Sequence, residues 1–130
     1  MANVSIKYNG LSFEENPQVV TWIQLFLIKY LSEKKNESWI DSIIQELELN
    51  SKIDVYKYVF DEDSLNTKEK EDWALNLLND SENFISQMTI LEFAKYINDN
   101  IDSNFDINRL ISFLSNLRKL IKSATANKQK

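Results

Sequence analysis

The stretch that most constrains this chain is Val19–Leu31, VVTWIQLFLIKYL, its most apolar run. Read at about 100° per residue, its polar members Thr21, Gln24 and Lys29 occupy part of one side of a helix, and Trp22, Ile23, Phe26, Leu27, Tyr30 and Leu31 cover the rest. A helix that is apolar around most of its circumference has to be wrapped by other elements. The run is too short to span a bilayer, which takes about 20 apolar residues, and it contains a lysine. The expected architecture is therefore a mainly α, compact helical bundle built around a buried central helix.

Composition supports helices. One glycine and one proline in 130 residues leave little material for the tight turns of a β-rich domain. The expectation is a single globular domain over residues 1–122, with a hairpin at 4–13, about five or six helices over 17–122, and a frayed polar tail at 123–130. The hairpin rests on Asn9-Gly10, a two-residue turn signal, preceded by Val4, Ile6 and Tyr8 alternating with Ser5 and Lys7.

Local signals place the helices. Asn16-Pro17 opens the central one, with asparagine as cap and proline at the first helical position. Trp39, Ile40, Ile43, Ile44 and Leu47 form the apolar stripe of a second. Thr67 caps a helix expected to run to Leu78, after which Asn79–Glu82 reads as a break and Phe84, Ile85 and Met88 as a short apolar turn. Thr89-Ile90-Leu91-Glu92 has capping-box spacing. Ile107, Leu110, Ile111, Leu114, Leu117 and Ile121 lie along one stripe of a last helix. Lys52–Phe60 is ambiguous: its β-branched and aromatic residues suit a strand on the hairpin, and its neighbours suit a short helix.

The chain has neither cysteine nor histidine. Disulfides, thiol nucleophiles, zinc–thiolate sites and histidine general bases are thereby excluded, and no cofactor or catalytic set is expected. The single glycine excludes the nucleotide-binding and nucleophile-elbow motifs that need several. A small enzyme running on carboxylates alone remains as an alternative. The loop Asn98–Arg109 places oxygen side chains at alternate positions, but serine stands at the sixth position of the calcium-loop pattern and Arg109 at the twelfth, so no metal is expected there. Its Asp and Asn residues suit turns and caps instead.

Charge is distributed unevenly. Residues 61–82 hold eight acids against Lys68 and Lys70, a net of −6, whereas residues 107–130 carry six cations and no acid. The candidate partner-binding surface is therefore Asp61, Glu62, Asp63, Glu69, Glu71 and Asp72, with Trp73 as an aromatic anchor. The function expected is that of a non-catalytic inhibitor or immunity-type protein that masks a basic enzyme. The alternative is a subunit or adaptor with an apolar interface at Tyr56, Tyr58 and Phe60. Nucleic-acid binding by the basic end is disfavoured by its lack of interleaved aromatics and by the acidic body. Self-association of basic end with acidic body remains open. The first ten residues lack the basic and apolar regions of a secretory signal, so a cytoplasmic protein is expected.

Overall fold

The computed structural model describes residues 3–8, 10–34, 38–52 and 65–128. Two antiparallel strands, β1 (Val4–Tyr8) and β2 (Leu11–Glu15), precede five helices among these residues: α1 (Pro17–Lys34), α2 (Ser38–Lys52), α3 (Lys68–Ser86), α4 (Ile90–Ile97) and α5 (Asn108–Lys128). The bundle expected from the central apolar run is the one observed. Lys52 ends α2, and the rest of the ambiguous segment, 53–60, lies outside the described residues.

The hairpin register pairs Val4 with Glu15 and Tyr8 with Leu11, leaving two residues to connect the strands. Gly10 sits at φ +87°, a backbone conformation that other residues resist, and a Cβ there would meet nothing within 4 Å. Glycine is thus required by the turn's dihedral angle, not by crowding. The second arm is longer than the sequence suggests, reaching Glu15. Alternation sends Ile6 and Tyr8 fully into the core and leaves Ser5 and Lys7 in solvent.

Helix α1 begins as its cap residues dictate: Asn16 Oδ1 accepts from the Gln18 N–H at 2.8 Å, and Glu15 Oε1 accepts from the Asn16 N–H at 3.1 Å. It packs along α2 and also meets α4 and α5, while α3 packs along α5 and the hairpin leans on α5. Enclosure on these sides explains why Trp22, Ile23, Phe26, Leu27, Tyr30 and Leu31 are all buried. It also buries Gln24, which the helical wheel assigns to the polar strip. Gln24 is 6% exposed, and its Nε2 has no hydrogen-bond acceptor among the described residues. A buried amide left unpaired costs on the order of 1–3 kcal/mol. Gln24→Met, which keeps the volume and removes the amide, should therefore raise stability by about 1–2 kcal/mol in denaturant titrations. A loss of similar size would show that the amide is satisfied.

An aromatic cluster lies on one side of α1. The Phe26 ring is 5.2 Å from Tyr30, 5.9 Å from Phe84, 5.8 Å from Phe93 and 5.5 Å from Tyr96, distances at which ring edges and faces attract. Tyr96 closes the cluster toward solvent. Its hydroxyl donates to Glu33 Oε1 at 3.3 Å, and Lys29 Nζ lies over its ring. Burial and then the Glu33 carboxylate push the Tyr96 phenol up to about 12. Because this folded value exceeds the usual value near 10, the neutral tyrosine's contribution is intact below about pH 10 and is lost as pH rises toward about 12. Tyr96→Phe should remove a tyrosinate absorbance step near pH 12 and flatten the stability loss between pH 10 and 12. An unchanged titration would contradict this.

Helix α3 corrects the sequence reading. It does not stop at Leu78 but continues to Ser86, through Asn79–Glu82. That tetrapeptide has neither glycine nor proline, and its polar residues are divided between two faces. Ser81 is fully buried and donates to the Leu77 carbonyl at 2.7 Å, which satisfies its hydroxyl within the helix. Asn79 and Asp80 face solvent, and Ile85 continues the buried stripe of Ala74, Leu77 and Leu78.

Helix α4 starts at a complete capping box between Thr89 and Glu92. It ends at a left-handed Asn98, where the Asn98 and Asp99 N–H groups bond back to the Lys95 and Ala94 carbonyls. Helix α5 continues as helical backbone to Lys128, through most of the segment whose composition reads as a frayed tail. Among the described residues, no helix is long and apolar enough to cross a membrane.

Candidate functional site: the outer face of α3

Thr67 initiates α3, its side chain accepting from the Lys70 N–H at 3.2 Å. Glu69 and Glu71 lie in the first turn, where carboxylates complement the helix dipole. From there the acids separate by direction. Glu69, Asp72 and Asp80 are exposed, and with Asn76, Asn79 and Asn83 they fall within roughly one 100° arc of the helix. No lysine or arginine lies within that arc, and Lys68, one turn before Asp72, borders it. Among the described residues the ion pairs are Arg109–Glu15 at 3.8 Å and Arg118–Glu82 at 2.8 Å, so neither involves the three exposed acids of this face.

Two of the acids in residues 61–82 point elsewhere. Glu71, a candidate surface residue by sequence, is 9% exposed and accepts a hydrogen bond from the Tyr8 hydroxyl at 3.4 Å. Glu82 takes a two-point contact from Arg118, whose Nε and Nη2 donate at 2.8 and 3.3 Å. The Glu82 carboxylate holds the Arg118 guanidinium above its ordinary pKa, opposed in part by burial. These two acids join α3 to the hairpin and to α5.

Trp73 is not a free anchor. It is half-buried and packs edge-on against Trp39, with ring centroids 4.7 Å apart, so it ties α3 to α2. Lys70 Nζ lies 5.5 Å from the Trp39 ring, which draws that cation to the side of the helix. Asp61, Glu62 and Asp63 lie outside the described residues, as do Tyr56, Tyr58 and Phe60. The structure thus unites Glu69 and Asp72 on one face and removes Glu71 from it. Asp80, outside the candidate set above, joins this face because α3 runs on past Leu78. Its spacing of eleven residues from Glu69, three helical turns, was the available signal.

The other candidates have local structural uses. In the loop after α4, Asp99 accepts from the Asn100 N–H and Asp102 from the Asn104 N–H, each at 2.8 Å. Asp106 accepts from the Asn108 N–H at 3.0 Å and caps α5. Among the described residues no group of three or more carboxylates is placed to hold a metal. A depression of about 270 Å³ contains two acids, Glu15 and Asp106, with Arg109 beside them. Glu15 there caps the backbone at Asn16 and faces Arg109, so neither carboxylate is set apart for acid–base work. No family model, curated protein or solved structure matches the chain.

Proposed function

We propose that this chain is a non-catalytic interaction protein of the inhibitor or immunity type, which masks a basic surface of a partner protein, with the cytoplasm as its site of action. The observation that carries the reading is the outer arc of α3, where Glu69, Asp72 and Asp80 stand exposed and form none of the ion pairs among the described residues. Carboxylates at a helix surface, interspersed with asparagine amides, present acceptors at a regular rise to lysine and arginine side chains. Such a surface speeds encounter with a basic partner and disfavours acidic ones. The lack of histidine and cysteine, together with the structural use of Glu15 and Asp106, supports a binding role over a catalytic one.

The test is capture from a native lysate on the immobilised full chain at low salt, followed by a salt gradient. A basic protein released between about 0.1 and 0.5 M salt is the expected result, since screening shortens the range of surface charges over that interval. A partner that remains bound at 1 M salt would overturn the reading in favour of an apolar interface.

A further inference from the structure

Among the described residues the two-stranded sheet ends on an open edge at β2. With Tyr8 opposite Leu11 across a two-residue connection, Leu11, Phe13 and Glu15 exchange ladder hydrogen bonds with β1, so the N–H and C=O groups of Ser12 and Glu14 point away from it. Both residues are exposed, and neither has a hydrogen-bond partner among the described residues. The inward side chains of this strand are incompletely covered: Ile6 and Tyr8 on β1 are fully buried, whereas Leu11 and Phe13 on β2 are only half-buried. An open edge of this kind is a template for another strand.

The charges beside the edge select its occupant. Beside Leu11, Ser12 and Phe13 lies a depression of about 400 Å³, walled on the α5 side by Lys119 and Leu120. At the other end of β2, Glu15 meets Arg109 at the start of α5, and Glu14 stands exposed. Strand β2 therefore runs antiparallel to α5, with an exposed lysine at its beginning and carboxylates at its end. A uniformly acidic or uniformly basic peptide would meet like charge at one end. A second β2 laid antiparallel has the opposite order and meets neither.

We propose that β2 pairs with β2 of a second copy of this chain, joining two hairpins into a four-stranded antiparallel sheet. Centred on Phe13, the pairing sets Ser12 opposite Glu14 of the second copy, satisfying the outward backbone groups of both strands. It stacks the two Phe13 side chains and brings Glu15 of each chain to the Lys119 end of the other. The contact is isologous, so it closes at two chains. Two five-residue strands make a small interface, below the roughly 1,000 Å² of stable complexes, so the dimer forms in the micromolar-to-millimolar range.

Sedimentation equilibrium of the full chain from about 10 µM to about 1 mM at low salt tests this. The mass should rise with concentration from 15.3 kDa toward twice that value. Ser12→Pro removes an outward N–H without touching the ladder to β1 and should weaken the dimer at least tenfold, with circular dichroism confirming the helices. Lys119→Glu, at an exposed helical position, should weaken it several-fold at low salt and far less at 1 M. If Ser12→Pro disturbs the hairpin, Lys119→Glu decides alone. A monomer throughout the range, or a dimer indifferent to either substitution in a folded chain, overturns the proposal.

Discussion

Phe26→Ala should lower the unfolding free energy by about 3–5 kcal/mol, a large part of the 5–15 kcal/mol typical of a domain this size. Phe26 is fully buried at the centre of α1, and four aromatic rings lie within 6 Å of its own. Removing it withdraws one face from each of those contacts and leaves a cavity that rigid rings cannot collapse to fill. Because the neighbours belong to α1, α3 and α4, the loss should appear as one cooperative shift of the whole transition in denaturant. Phe26→Leu should cost much less, on the order of 1–2 kcal/mol, since most of the apolar volume remains. A loss below 1 kcal/mol for the alanine variant would mean that the bundle is not organised around this cluster.

Reversing the outer face of α3 with Glu69→Lys, Asp72→Lys and Asp80→Lys together should weaken capture of a basic partner by about 100-fold or more at low salt. Each exposed carboxylate in a complementary interface is worth roughly 1 kcal/mol, and reversal adds repulsion to the loss. Folding should suffer far less. The three side chains are exposed and form none of the ion pairs among the described residues, so the expected cost is a few tenths of a kcal/mol for the lysines at Glu69 and Asp72 near the helix N-terminus and about nothing at Asp80, which lies beyond its middle. Glu71→Gln and Glu82→Gln should do the opposite, disturbing stability through Tyr8 and Arg118 while leaving capture nearly intact. That contrast separates surface charge from structural charge within one helix.

The architecture was legible because its signals were local and redundant. The apolar circumference of α1, the Asn16-Pro17 start, the Thr89–Glu92 box and the stripe of α5 each follow from spacing alone, and the structure contains all four. Asn79–Glu82 misled because four polar residues resemble a loop until the register of Leu77, Ser81 and Ile85 is followed through them. The acidic face was legible as composition but not as direction. Whether Glu71 pointed outward depended on where the hairpin would place the Tyr8 hydroxyl, 63 residues away in sequence, and no local pattern encodes that contact. Gln24 was hidden for the same reason: a polar residue on a helix is exposed or buried according to what arrives beside it.

If the exposed carboxylates on α3 carry recognition, the salt dependence of association with the captured partner must show it. Wild type and the triple lysine variant would be titrated side by side from about 0.05 to 0.5 M salt, a range over which the screening length falls several-fold. The expected result is a steep loss of wild-type affinity with salt, a much shallower slope for the variant, and convergence of the two at the high-salt end. Parallel curves, with the variant binding as tightly as wild type at low salt, would mean that recognition lies on a surface other than α3.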